Sequence, residues 1–249
     1  MRTSTSCLHA LRPLAAPRSL SARRGATVRG RQSVASKLLT TGGAAALLVA
    51  ARRTLRNWGA TKAECRAELP GDECVPDPAT VITRAVTVEA PANEVWQWLV
   101  QIGQNRGGMY SYQGIENLLG LDIHNADRIQ PEWQQLSEGD QIWLVRPGWL
   151  GIAGGLALTV FEVVEGRSIV LFEKPWHAVW SFHIHPLSAS RCRLISRSRA
   201  PRGHGFARLA GELVDPVTLV MTRKMLLGIK ARAERSASQT KTAEQIAAK

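Results

Sequence analysis

Between residues 140 and 200 the chain repeats one pattern, and that pattern limits its architecture more than any other feature. The stretches 142–146, 156–164, 168–172, 178–185 and 192–198 are rich in β-branched and aromatic residues and alternate apolar with polar side chains, the period of a half-buried strand. Glu165-Gly166 and Leu187-Ser188-Ala189-Ser190 supply turn chemistry between them. The spacers are consistent with hairpins, so an antiparallel meander is expected. Within it Trp180, Phe182 and Ile184 share one face, and Ser181, His183 and His185 the other. In the next strand Cys192, Leu194, Ser196 and Ser198 oppose Arg191, Arg193, Arg197 and Arg199. This predicts a sheet with one covered face and one wet, basic face.

The flanks of the meander change period. Residues 81–88, VITRAVTV, read as a strand. After Ala90-Pro91, Val95, Trp98, Leu99 and Ile102 fall at helical spacing, and Gly103 is placed to end that helix. A second short helix is predicted over 111–119, led by Ser111, with Leu118, Leu119 and Leu121 burying one side and a following loop carrying Asp127, Arg128 and Trp133 toward the core. Beyond the meander, Asp215-Pro216 reads as a cap and first-turn proline for a helix to about residue 234. Val217, Met221, Met225 and Ile229 form its i+4 row, and Gly228 beside them allows close approach.

Charge divides the chain. Residues 1–63 hold twelve Lys or Arg and no acidic residue, leaving twenty Lys and Arg against twenty Asp and Glu in the remainder. The net charge of +12 is therefore N-terminal, which argues against nucleic acid as the partner of the folded part. The expected organisation is a disordered basic leader (1–36), a hydrophobic segment (37–56), a linker (57–78), one folded domain (79–235) and a C-terminal tail (236–249). The uncharged run 38–51, LLTTGGAAALLVAA, is short for a bilayer whose hydrocarbon core is about 30 Å thick. It admits three readings: a membrane anchor, a cleaved export or transit peptide, and a loose tail from an over-extended start. The first two place the protein at a membrane or export it. Cys65 and Cys74 either bridge across the Pro70-Gly71 turn or remain free thiols, the second being preferred on the scattered spacing of the four cysteines.

Several stretches carry a family resemblance: WGAT at 58–61, PGDECVPDP at 70–78, W-x-W-L-V-Q-I-G-Q at 96–104, RGGMYSY at 106–112, IENLLGLDIHNADRI at 115–129 and MLLGIKARAE at 225–234. Together they resemble the SRPBCC, or START-like, superfamily of polyketide cyclase-like and lipid-transfer-like proteins, in an actinobacterial branch of unassigned function. The resemblance covers residues 57–235. It implies an α+β helix-grip fold, with a curved antiparallel sheet wrapped around a long C-terminal helix and two short helices after the first strand. It also implies a cavity between sheet and helix for a small hydrophobic or amphipathic ligand.

Candidate site residues concentrate in 101–128. Glu116 and His124 form a possible acid/base pair, since histidine titrates near neutrality and burial raises a carboxyl pKa. The competing expectation is that Glu116 pairs with Arg106 or Arg128 and holds the crossing together. Tyr110 and Tyr112 are either phenols directed at a ligand carbonyl or amphipathic wall. Asn117 joins them as a polar selector, and Trp180 and Phe182 are expected as wall or core. His183 and His185 share a strand face but lack a third ligand nearby, so no metal site is predicted, and no cofactor motif is present. Three functions stay open: ligand binding or transport, a cyclase or dehydratase-type enzyme in the same cavity, and an interaction module whose cavity is filled by its own side chains.

Overall fold

A computed structural model describes residues 55–174, 177–203 and 206–247. A short helix, α1 (Lys62–Arg66), precedes β1 (Thr80–Val88), α2 (Ala92–Val100) and α3 (Gln113–Leu118). Five strands follow, β2 (Gln141–Val145), β3 (Leu156–Val164), β4 (Ser168–Glu173), β5 (Ala178–Ser188) and β6 (Arg191–Ala200), and then the long helix α4 (Phe206–Ala247). The strands form one antiparallel sheet in the order β1-β6-β5-β4-β3-β2. This is the expected meander, with the first strand brought round to pair with the last. Register shifts in β2/β3, β3/β4 and β5/β6 add local bend to the sheet.

The inner face of the sheet and one face of α4 share the main core. Phe182 and Ile184 of β5, Cys192 and Leu194 of β6, and Met225, Leu226 and Ile229 of α4 pack with Trp98 and Leu99 of α2. The C-terminal half of the helical row read from the sequence, Met225 and Ile229, is therefore the seam between helix and sheet, whereas Val217 at its start is 56% exposed. The helix is longer than 215–234 at both ends and carries Pro216 internally.

The outer face of the sheet departs from expectation. It is not a wet basic surface, because residues 57–75 lie along it as a strap. Glu64 accepts from Arg193 Nε at 2.6 Å, and Asp72 accepts from Arg197 Nη1 at 2.7 Å and lies 3.4 Å from Arg199. Arg197 also donates to the carbonyls of Glu64 and Ala67 and to Thr83 Oγ1. Two apolar plugs seat the strap, Leu69 against Ala85 and Ile195, and Val75 against Val170 and Val179. A capping box, Thr61 with Glu64, starts α1 and fixes the carboxylate that Arg193 uses. The stripe of arginines is thus the receiving half of an internal interface. Cys65 and Cys74 are free thiols. Among the described residues no helix is long and apolar enough to cross a membrane, and the run 38–51 lies outside them.

Candidate functional site

The stretch 101–128 closes one end of the sheet–helix sandwich, and amide side chains hold it there. Gln101, fully buried, donates to Tyr110 Oη at 2.8 Å and to the Arg128 carbonyl, and accepts from Gln130 N and Gln134 Nε2. Asn117 clamps Ile123 through both its N–H and its carbonyl. Asn125 accepts from Tyr110 N at 2.6 Å, and Gln104 donates to the Leu121 carbonyl. Each amide offers a donor and an acceptor, so it can satisfy irregular backbone that no ladder reaches.

Tyr110 is buried at φ 53°, in the left-handed region. Its ring stands edge-on to Trp98, with centroids 6.0 Å apart, and the Arg232 guanidinium lies 4.7 Å from the ring centre. Burial pushes its phenol up to about 12, against the Gln101 hydrogen bond and the Arg232 and Arg106 charges, which act the other way. Tyr110 is therefore a structural post. Tyr112 is half-buried at the start of α3, 5.6 Å from the Lys224 ammonium. Asn117 is used up by the backbone of Ile123.

Glu116 is 2% exposed, and neither carboxylate oxygen has a hydrogen-bond partner among the described residues. Burial raises its pKa, and the nearby Ser111 hydroxyl and Tyr112 backbone oppose that rise without making a bond of ordinary geometry. Ser111 does not cap the helix; its hydroxyl is 3.4 Å from the Met221 carbonyl of α4.

The expected ion pairs of this region are not formed. Arg106 donates to the carbonyls of Trp133 and Gln135, Arg128 is exposed, and Asp127, 90% exposed, lies 3.6 Å from Arg232. Glu116 and His124 face different surroundings. The His124 side chain is 75% exposed and lies 3.8 Å from Asp122, which in turn pairs with Arg146 at 3.0 Å.

The Trp180 and Phe182 rings pack at a tilt of 50°, 4.8 Å between centroids, on the inner face of the sheet, and Trp180 Nε1 donates to Ser196 Oγ at 2.8 Å. Phe182 is fully buried and Trp180 half-buried. His183, on the outer face, is buried under the strap with Nε2 2.9 Å from Ser181 Oγ, while His185 is exposed. Among the described residues no group of three His, Cys, Asp or Glu is placed to hold a metal.

Two open grooves stand out on this surface. One, of about 410 Å³, runs along the last turns of α4 from Arg235 to Ile246. The other, of about 290 Å³, lies beside the closing stretch between Gln104, Asn105, Asp122, Trp143, Arg146 and Pro147. Neither lies between sheet and helix, where Trp98, Tyr110, Phe182 and Met225 fill the space.

Sequence reading missed Gln101, Asn125, Glu64 and Asp72. The amide density of QIGQN at 101–105 was the available signal for the first of these. The acids of the strap had none, because their arginine partners are more than a hundred residues away.

No protein-family model matches the sequence, and no curated protein matches it. Solved structures of similar fold include the Zhui aromatase/cyclase from Streptomyces sp. R1128, at 20% identity over 63% of this chain and 94% of that one, with a TM-score of 0.38. The self-sacrificing resistance protein CalC from Micromonospora echinospora matches at 10% identity over 65% and 97%, with a TM-score of 0.39. A Thermobifida fusca protein matches at 16% identity over 59% and 90%, with a TM-score of 0.37. At these values the functional reading rests on the chain's own residues. Its strand order, the two short helices after β1 and the long helix packed on the inner face make this an α+β helix-grip, START-like fold.

Proposed function

We propose that this protein binds a small amphipathic molecule between α3 and the inner face of the sheet, with Glu116 receiving a hydroxyl or amine of the ligand. The observation that carries the reading is the Glu116 carboxyl, buried and with neither oxygen hydrogen-bonded among the described residues. A buried polar group without a partner costs about 1–3 kcal/mol, and a cost of that size is kept where function needs the group. Trp180 and Phe182 supply the apolar wall. Entry requires the closing stretch to move, since the interior is packed in the described state. The exposure of His124 gives Glu116 no partner base, which favours binding over proton-transfer chemistry.

A second reading has its own support. The contact of Tyr110 with Gly228 and the continuous core through Trp98, Phe182 and Met225 are what an interaction module with a filled cavity requires.

Native mass spectrometry of the full chain purified from its host separates the two. A stoichiometric small molecule on the wild type, lost in both Glu116→Leu and Trp180→Ala, supports binding. Bare protein in every case supports the interaction module. A bound species that builds up only in Glu116→Ala or His124→Ala points to turnover.

A further inference from the structure

Helix α3 is inside out. Its glutamate is buried, while Ile115, Leu118 and Leu119 are 58%, 86% and 57% exposed, the reverse of the expectation that Leu118 and Leu119 bury one side. Ile115, Leu118 and Leu119 are spaced i, i+3 and i+4 and therefore share one face. That face does not end with the helix. Trp149 Nε1 donates to the Leu119 carbonyl at 2.7 Å, which holds the β2–β3 loop against the end of α3. The loop adds Leu150, 78% exposed at φ 45°, and Ile152, 46% exposed. From Pro147 to Phe161 the sequence has no charged residue.

We propose that these two tips form a docking surface for an anionic lipid bilayer. Three observations select that occupant. The two most exposed leucines among the described residues, Leu118 at 86% and Leu150 at 78%, come one from each of these joined segments, an open apolar surface suited to entering an interface. Half-buried Trp149 stands at their base with its indole N–H on a carbonyl, the amphipathic placement tryptophan adopts at the boundary of a membrane. Two cations belong to the same surroundings: Lys224 sits over Tyr112 at the start of α3, and Arg146 at the base of the β2–β3 loop pairs with Asp122. The same chain carries twelve Lys or Arg before residue 64 without an acid, a second source of attraction to anionic headgroups. Apolar insertion and basic charge together give the two signals that stable peripheral binding needs.

The surface is independent of whether Glu116 binds a ligand, and its test uses no ligand. The full chain is co-sedimented with vesicles of phosphatidylcholine containing phosphatidylglycerol, alongside Leu118→Glu/Leu150→Glu and the control Phe161→Glu, an exposed position on β3. The double variant should partition at least about tenfold more weakly, with its circular dichroism unchanged, and Phe161→Glu should bind like the wild type. Bromine on the lipid acyl chains should quench tryptophan emission in the wild type and less in Trp149→Phe. Equal partitioning of the double variant and the wild type would mean that the basic leader alone binds, and would overturn the proposal. A lipid-free wild type that sediments as a dimer, with a monomeric double variant and equal vesicle binding, would assign the face to a second copy instead.

Discussion

Tyr110 and Gly228 meet backbone to backbone: a Cβ added at 228 would lie 2.8 Å from the Tyr110 Cβ and inside the contact radius of its carbonyl oxygen. Tyr110 cannot retreat, since Gln101, Trp98 and Arg232 hold its ring and hydroxyl. Gly228→Ala gains about 1 kcal/mol of helix propensity. It should still destabilise the fold, because overpacking at a fixed backbone costs about 1–3 kcal/mol. Urea denaturation should show a lower midpoint at unchanged slope, with the closing stretch loosened before the sheet in hydrogen exchange.

Glu116 makes the opposite prediction. Glu116→Leu removes a buried carboxyl that has no hydrogen-bond partner among the described residues and fills the same space with apolar atoms, so it should stabilise the ligand-free protein by about 1–3 kcal/mol. The wild type should also lose stability as pH rises. Its folded-state pKa is raised by burial, so the folded state holds the proton more tightly than the unfolded chain does. That advantage is full below the unfolded value near 4.5 and disappears as pH climbs through the raised folded value. The leucine variant should lack this component, as read from denaturation midpoints across the acid range.

The strands were legible because period-2 alternation is local, and so was the α2 face of Val95, Trp98, Leu99 and Ile102, all buried. Trp58, ahead of the first strand, packs against the core. What was not legible depends on distant partners. Arg193, Arg197 and Arg199 look like a solvated stripe in sequence, and only the strap turns them inward. Leu118 and Leu119 look like core, and only the burial of Glu116 on the other side of α3 shows that the helix is rolled over. Within the closing stretch charged residues drew attention by type, whereas amides do the holding, a role that no spacing rule announces.

His183 gives an acid-labile strap. Burial, with His185 and Arg197 adding to it and Asp72 opposing, lowers its pKa from 6.5 to about 4. The folded state therefore keeps it neutral while the unfolded chain takes a proton below about 6.5. Stability is full above the unfolded value and falls between about pH 6.5 and 4, by about 3 kcal/mol in all. Thermal denaturation should show this slope, and His183→Asn should flatten it. Protection of the Leu69 and Val75 amides should fall over the same interval, because the strap covers this histidine.

Asp72 is the acid that the strap's arginines share. Arg197 is 2% exposed and receives its nearest carboxylate from Asp72 Oδ2, while Arg199 approaches the other oxygen. Asp72→Ala leaves a buried guanidinium with only carbonyl and hydroxyl acceptors, and losing one partner of a buried pair costs about 3–5 kcal/mol. Replacing both partners, Asp72→Leu with Arg197→Met, removes the stranded charge and should recover much of that loss. If the double variant were as unstable as Asp72→Ala, the strap would depend on the hydrogen bonds of Arg197 to Glu64 and Ala67 more than on its charge. Urea denaturation of the three proteins separates these outcomes, and hydrogen exchange at residues 62–75 shows whether the strap leaves before the sheet unfolds.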